Sequence, residues 1–185
     1  MGTVGRMGKL LLAAGAAAVV LTLTGCIQST PQPTAPPTPS ATPVFASDEE
    51  ALAAAEAAYA AYLEVSDAIS ADGGKDVARL MDHVTDAEFA RSVEQFQAFE
   101  ATGNHTEGTT AFDSTTLQRF DDREVTVYLC LDVTAVRIVD GQGTDVTPAD
   151  RPGRLPLEVT LQIDESTHLA LSASDVWDRA DYCVP

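Results

Sequence analysis

Residues 124–133, EVTVYLCLDV, alternate between polar and apolar side chains along their whole length. The apolar positions fall on one side of an extended chain: Val125, Val127, Leu129, Leu131 and Val133. The positions between them fall on the other side: Thr126, Tyr128, Cys130 and Asp132. A period of two is typical of a β-strand that buries one face. The segment therefore predicts a strand of an antiparallel sheet with an apolar inner face and a polar outer face.

The same alternation recurs on both sides of this strand. Residues 154–163 carry the most regular pattern, with apolar positions Leu155, Leu157, Val159, Leu161 and Ile163. A weaker strand is predicted over about 108–120, and a final strand carries Leu169, Leu171 and Ala173. The alternation slips near residues 134–135, which predicts a β-bulge there. Together these segments predict a four-stranded antiparallel meander.

A helix is predicted at the start of the domain. Ser47 followed by Glu50 forms a capping box, and acidic residues fill the first turn. Side chains then recur at spacings of three and four along one face: Leu52, Ala55, Tyr59, Tyr62, Ser66 and Ile69. This stripe predicts an amphipathic helix that ends at Gly73-Gly74.

Two further helices are predicted before the strands begin. A short one spans about residues 77–84. Thr85 and Glu88 form a second capping box and start the next helix, which Gly103 ends. We expect its inner face to carry Phe89, Val93 and Phe96. The fold class predicted is α+β, with three N-terminal helices packed on a four-stranded antiparallel sheet.

The N-terminus has the order of a secretory signal peptide. Arg6 and Lys9 precede an apolar run over residues 10–23, and LTGC closes it at residues 23–26. This ending resembles a lipobox, so we expect cleavage before Cys26 and attachment of a diacylglycerol to it. A transmembrane helix is the alternative, but fourteen residues fall short of the roughly 20 that cross a bilayer. The predicted location is the outer leaflet of the bacterial cell membrane.

Residues 28–46, QSTPQPTAPPTPSATPVFA, contain six prolines. Such a segment favours an extended, disordered polyproline II chain of about 3.1 Å per residue over a packed core. The sequence thus predicts three regions: a lipoprotein signal peptide over 1–25, the lipidated cysteine and linker over 26–46, and a single domain over 47–185. The linker could also be a docking motif for a partner.

The three cysteines divide into an anchor and a pair. If Cys26 carries lipid, Cys130 and Cys183 remain, and disulfides persist outside the cytoplasm. We expect a Cys130–Cys183 disulfide, with two free thiols as the alternative. Because Cys130 falls on the polar face of its strand, the tail must fold back over that face. Trp177 and Tyr182 could then cover part of the sheet.

Composition excludes several classes of partner and site. The formal net charge is −17, and loss of Arg6 and Lys9 would leave nine basic against 28 acidic residues, or −19. Nucleic acids and anionic lipid headgroups both need a basic surface. The histidines have no metal-ligand spacing, and residues 140–150 lack the spaced acids of a calcium loop. No cofactor or metal is expected.

Amphipathic helices followed by a bulged antiparallel sheet give the chain a family resemblance. The helix stripe over 52–69, the run Cys130-Leu131-Asp132-Val133, and the terminal Trp177 and Cys183 carry it. From about Ser47 to Cys183 the chain resembles lipid-anchored actinobacterial members of the nuclear transport factor 2-like superfamily. One departure is a missing short strand between the second and third helices. The resemblance implies a curved sheet and a cone-shaped pocket, for which the expected lining residues are Tyr59, Tyr62, Phe89 and Phe96.

These observations support three hypotheses of function. The first is a non-catalytic lipoprotein that binds an envelope protein or a small apolar ligand, because the inward strand positions carry no acid or base. The second is an isomerase- or dehydratase-like enzyme, which requires an ionisable side chain buried beside Tyr59 or Tyr62. The third is a homodimer formed through the outer sheet face, with the contact residues Thr126, Tyr128, Glu158, Thr160 and Gln162.

Overall fold

The computed structural model describes residues 44–164, 168–179 and 181–183. All of them belong to one structural unit, Ala41–Pro185. The predictions for the signal peptide, for Cys26 and for most of the linker lie outside the described residues.

Two α-helices precede the strands, and side chains cap both. Helix α1 spans Asp48–Ala71, and its first turn is capped by the Ser47 hydroxyl, which accepts from the backbone N–H of Glu50 at 3.2 Å. The Glu50 carboxylate accepts in return from the N–H of Ala46 at 2.7 Å. Helix α2 spans Asp86–Glu100 and has Thr85 in the equivalent position. The predicted helix starts are therefore confirmed.

The predicted second helix is only a single 3₁₀ turn, Val77–Leu80. It joins the helices to the sheet through the next segment, where the N–H of Thr85 donates to the carbonyl of Leu171 at 2.9 Å. The sequence showed no strand between the second and third predicted helices. The structure has a single β-bridge there, between Val84 and Leu171. The described fold thus has two α-helices where three helices were predicted.

Six strands form two antiparallel sheets within the described residues. Their bounds are β1 His105–Glu107, β2 Ala111–Phe120, β3 Glu124–Asp132, β4 Arg137–Val139, β5 Arg154–Ile163 and β6 Leu169–Val176. The main sheet is antiparallel, as predicted, with the order β2-β3-β5-β6, but β4 of another sheet lies between β3 and β5 in the chain. Strands β1 and β4 form a second, two-stranded sheet that the sequence analysis did not predict.

The bulge predicted near residues 134–135 is wrong, because the chain turns there and changes sheets. The Asp132 carboxylate accepts from the N–H and the hydroxyl of Thr134, and the N–H of Val136 donates to the carbonyl of Val133. These bonds end β3 and direct the chain into β4. The register shifts lie elsewhere: two are in β2, between Asp113 and Thr116 and between Leu117 and Arg119, and one is in the β5–β6 pairing.

The core lies between α1 and the inner face of the main sheet. Val125, Val127 and Leu129 of β3 are at most 1% exposed, as their alternation predicts. From α1 the buried residues are Ala51, Ala55, Tyr59, Leu63 and Ile69. The predicted stripe is therefore correct in Ala55, Tyr59 and Ile69, and the two buried alanines allow the helix backbone to lie close to the sheet.

The folded unit includes two residues that the sequence analysis assigned to the linker. Phe45 is 8% exposed, and its ring meets that of Phe120 edge to face with 6.0 Å between centroids. Val44 also packs against the core. Val44 and Phe45, which follow the last proline of the linker, therefore belong to the packed domain, and the domain begins before Ser47.

The tail covers the outer face of the sheet, as the position of Cys130 predicts. Cys130 and Cys183 form a disulfide with a Cα–Cα distance of 5.4 Å. Trp177 stacks on Tyr128 at 3.8 Å between centroids, with 3° between the ring planes. The Tyr182 hydroxyl bonds to Thr116 at 2.7 Å and donates to the carbonyl of Ser114. We call the residues 177–179 and 181–183 the strap.

Candidate functional site

A cavity of about 230 Å³ lies between the C-terminal half of α1 and the inner side of the sheet. We call it the cone cavity. Seven of its lining residues carry hydroxyls: Tyr59, Tyr62, Ser66, Ser70, Thr106, Thr110 and Ser174. Five are aliphatic: Leu63, Leu131, Val133, Val136 and Leu157. The helix supplies four of the seven hydroxyls, whereas four of the five aliphatic residues belong to β3, β5 and the turn between β3 and β4, so the helix wall is the more polar one.

The polar wall follows from the period of α1. Positions 59, 62, 63, 66, 67 and 70 are three or four residues apart and therefore share one face of the helix. The rings of Tyr59 and Tyr62 lie 5.8 Å apart, inclined by 29°. The Tyr59 ring also contacts the edge of Phe112 at 5.2 Å. Packing therefore fixes the orientation of the Tyr59 ring.

Both phenols stay protonated at physiological pH. Burial raises the pKa of Tyr59 far above its usual range, although a hydrogen bond with Ser174 opposes this shift. Burial also raises the pKa of Tyr62; a bond with Ser66 opposes that shift, and the charges of Glu88 and Asp67 add to it. The two hydroxyls are therefore neutral and can donate hydrogen bonds to a ligand.

Asp67 is the one carboxylate among the described residues that line the cone cavity. Each of its two oxygens accepts one hydrogen bond. Oδ2 accepts from the backbone N–H of Thr110 at 2.7 Å, and Oδ1 accepts from the Thr110 hydroxyl at 2.7 Å. These two bonds link α1 to the segment that leads into β2. In this arrangement Asp67 positions the wall of the cavity.

A second buried carboxylate lies beside the cavity. The Glu88 side chain is 11% exposed and pairs with Arg91, which also donates to the carbonyl of Ser172 at 2.7 Å. Glu88 lines a separate depression of about 290 Å³, which shares Ser174 with the cone cavity. The Glu88 carboxylate is thus paired with the Arg91 guanidinium on its own helix. Ser174 is the residue that its depression shares with the cavity.

The predicted lining residues divide into two groups. Tyr59 and Tyr62 line the cone cavity, whereas Phe89 and Phe96 are not among its lining residues and pack half-buried against the core. The predicted inner face of α2 is rotated, because its most buried residues are Glu88 and Ser92. The spacing of the aromatic residues therefore did not identify the buried face of α2, and the sequence carries no local signal that Glu88 and Ser92 face inward.

Ser174 faces the cavity because of a register shift. Leu161 pairs with Leu171, but Thr160 pairs with Ala173 and Val159 with Ser174. One residue of β6 is therefore extra, and the side chains beyond it change faces. The predicted inward position of Ala173 is wrong for this reason. Period-two alternation alone contains no signal of where such a shift falls.

The chain matches no family model, and no curated protein is detectably similar to it. A structure of a protein from Catenulispora acidiphila is similar at a TM-score of 0.44 and 12% identity, over 68% of this chain and 88% of that one. Aln2 from a Streptomyces species is similar at a TM-score of 0.41 and 18% identity, over 67% of this chain and 88% of that one.

A third solved structure carries the name of the superfamily that the sequence resembles. It is an Ntf2-like protein involved in plasmid conjugation, with a TM-score of 0.27 and 18% identity, and the match covers 50% of this chain and 40% of that one. All three TM-scores are below 0.5, so these structures assign neither a family nor an activity to this chain.

In the described part of the chain, no three His, Cys, Asp or Glu side chains are arranged to hold a metal ion. Asp140 closes a turn instead, because its carboxylate accepts from the N–H groups of Gln142 and Thr144. Among the same residues, no helix is both long enough and apolar enough to cross a bilayer.

Proposed function

We propose that this chain is a lipid-anchored, extracytoplasmic protein whose nuclear transport factor 2-like domain binds a small amphipathic ligand in the cone cavity without transforming it. The observation that carries the proposal is the composition of the cavity wall. Neutral phenols and hydroxyls line the cavity together with aliphatic side chains, and Asp67 binds Thr110 through both oxygens. Such a wall can orient a ligand, and its one carboxylate serves to position Thr110.

The sequence suggested an apolar ligand, but the polarity and the size of the cavity favour a different kind of molecule. Hydroxyls outnumber aliphatic groups in the described lining, so a purely apolar ligand would leave polar groups without partners. At about 230 Å³ the cavity is also smaller than the 300–1,000 Å³ typical of drug-sized ligands. We therefore expect a small molecule with a polar group at one end and a short aliphatic part.

The lipid anchor rests on the sequence and on the disulfide. A Cys130–Cys183 bond fits an oxidising compartment, which export through a signal peptide would provide. Cys26→Ser should therefore release the protein from membranes or leave it unprocessed. Fractionation followed by mass spectrometry of the N-terminus tests this, and an unchanged membrane fraction would overturn it.

Filling the cavity tests the proposed site. Ser66→Trp should occupy it, whereas Ala68→Trp, two residues along α1 on its exposed side, should leave it open. Mass spectrometry of the protein purified from its native membrane should detect a small molecule with the wild type and with Ala68→Trp. Ser66→Trp should lose it. Retention of the same molecule by Ser66→Trp would exclude the cone cavity.

The isomerase- or dehydratase-like alternative has one observation in its favour, since Asp67 lines the same cavity as Tyr59 and Tyr62. As a general base it would accept a proton through a lone pair that Thr110 leaves free. Incubating the co-purified ligand in D₂O distinguishes the two functions. Deuterium incorporation by the wild type that Asp67→Asn abolishes would support an enzyme, whereas we expect no incorporation with either protein.

A further inference from the structure

A second depression, of about 390 Å³, lies on the other side of the Asp67–Thr110 link. We call it the α1–β2 groove. Its lining residues are Ala60, Leu63, Glu64, Asp67, Thr109, Thr110, Ala111 and Phe112. Leu63, Asp67 and Thr110 line the cone cavity as well. The groove and the cavity are therefore neighbours that share two side chains of α1 and one residue of the β1–β2 connection.

The partition between them is held by few interactions. Two hydrogen bonds of 2.7 Å join Asp67 to Thr110. The connection is fixed again at Gly108, whose Cα lies directly against the backbone of Ala135. Thr110 is thus supported from one side by the packing of Gly108 and from the other by Asp67. Breaking the two bonds to Asp67 would remove one of these supports.

The two depressions differ in polarity. Residues with a hydroxyl make up seven of the thirteen that line the cavity but only two of the eight that line the groove, where Leu63, Phe112 and two alanines stand beside two carboxylates. Phe112 also contacts Tyr59 edge to face, so the apolar part of the groove is continuous with the cavity wall. A polar group placed beside Tyr59 and Tyr62 could therefore continue into an aliphatic chain along Ala60 and Phe112.

We propose that the cone cavity and the α1–β2 groove form one composite site for an elongated, uncharged amphipathic molecule, such as an aliphatic chain with a terminal hydroxyl. The polar end lies in the cavity, and the chain crosses the Asp67–Thr110 partition into the groove. This inference rests on the proposed function and adds the length and charge of its ligand. A carboxylate end is disfavoured, because Asp67 and Glu64 line the site and no lysine or arginine belongs to its described lining.

The probes are straight-chain 1-alkanols from butanol to decanol, with decanoate as the anionic control. They are titrated into the whole mature chain carrying Cys26→Ser, so that no attached lipid competes for the site. Binding is followed through the NMR chemical shifts of the protein. Butanol should perturb residues of the cavity only. Decanol should also perturb Ala60 and Phe112, and each buried methylene should strengthen binding about fourfold. Decanoate should bind more weakly than decanol.

Asp67→Ala tests the partition, and Glu49→Ala is its control, an exposed carboxylate in the first turn of the same helix that lines neither depression. Without Asp67 a long ligand breaks no hydrogen bonds on entry, so decanol should bind about tenfold more tightly while butanol binding changes much less. Thr110→Val, which removes only the hydroxyl bond, should have a smaller effect in the same direction. Glu49→Ala should alter neither affinity.

The outcomes separate this inference from the proposed function. If butanol perturbs the cavity but decanol leaves Ala60 and Phe112 unaffected, the composite site is wrong and the cavity remains a binding site. Equal effects of Asp67→Ala on butanol and decanol would also overturn the partition. If no alkanol perturbs the cavity residues, both proposals fail.

Discussion

Gly108 occupies a position at which the backbone has no room for a side chain. Its φ of +98° lies in the region that favours glycine, and a Cβ there would approach the carbonyl oxygen of Ala135 to 2.0 Å. This contact sets where the β1–β2 connection leaves the small sheet. The position of Thr110 in the cavity wall therefore depends on a residue that has no functional group.

Substitution of Gly108 should be far more costly than substitution of Gly103. Gly103 also has a positive φ, +71°, but a Cβ added there would meet no atom within 4 Å. We expect Gly103→Ala to lower the free energy of unfolding by about 1 kcal/mol from backbone strain alone. Gly108→Ala should cost about 3 kcal/mol or more, because an unavoidable clash is added. Urea denaturation measures both, and equal costs would contradict the packing explanation.

The caps of the helices are local and testable at single residues. Ser47→Ala removes the oxygen that accepts from Glu50 and should lower the free energy of unfolding by about 1 kcal/mol. Ser47→Asp keeps an acceptor at the same position and should leave stability nearly unchanged. If Ser47→Asp is as destabilising as Ser47→Ala, the Ser47 hydroxyl has a role other than capping.

At the scale of elements, the strap and the main sheet are stabilised together. The disulfide joins β3 to the tail, and Arg154 of β5 donates to the carbonyl of Cys183 at 3.2 Å and to the Asp132 carboxylate at 2.7 Å. The stack of Trp177 on Tyr128 adds an aromatic contact to the same face. Tyr182 also ties edge strand β2 to the strap, because its hydroxyl bonds to Thr116 and to the carbonyl of Ser114 in the bulged segment of that strand.

Removal of the disulfide should destabilise the domain substantially. The cysteines are 53 residues apart, for which the chain-entropy model gives about 4 kcal/mol. The double variant Cys130→Ala with Cys183→Ala should lose about that amount in urea denaturation, and reduced wild type should match it. Trp177 is the single tryptophan of the chain, so its fluorescence reports whether the strap still covers Tyr128. Unaltered stability after reduction would contradict this account.

At the scale of the whole molecule, several carboxylates make stability depend on acid pH. Hydrogen bonds from side chains or from backbone N–H groups in turns lower the pKa of five carboxylates. These are Asp113, Asp121, Asp132, Asp140 and Asp145. A group whose pKa is lower in the folded state stabilises the protein above its unfolded pKa, about 3.9 for aspartate. That contribution is lost as the pH falls through the folded value.

Asp140→Asn isolates this effect from the general charge. Backbone N–H groups of Thr144 and Gln142 lower the pKa of Asp140. The variant should be less stable than the wild type at pH 7, and the difference should shrink as the pH falls below about 4. Relief of repulsion among the 28 acidic residues affects both proteins similarly and therefore cancels in the comparison. A difference that does not change between neutral and acid pH would contradict the assignment.

The strap also bears on self-association. The predicted contact face includes Tyr128, whose ring is already stacked on Trp177, and Thr126, which is 2% exposed. A dimer through this face would have to displace the chain's own tail. We therefore expect the mature chain with Cys26→Ser to be monomeric in size-exclusion chromatography with light scattering at high concentration. A dimer that Trp177→Ala strengthens would instead favour the third hypothesis.

The sequence predicted those features that depend on neighbouring residues. The helix starts at Ser47 and Thr85, the alternation of β3 and the placement of the strap over Cys130 are all confirmed. For the caps and the strand the signal is local, since a cap needs a donor three residues away and a strand face needs only parity. For the strap the signal was the parity of Cys130 together with the number of cysteines. The lipid anchor and the signal peptide stay predictions, because they lie outside the described residues.

Tertiary structure decided what depends on partners far apart in the chain. The register shift that turns Ser174 inward exists only in the pairing of β5 with β6. The switch of the chain into β4 depends on the partner strand β1, and the Asp67–Thr110 partition joins residues 43 positions apart. Periodicity determines which face of an element is apolar, whereas the walls of a cavity depend on how distant elements are placed against one another.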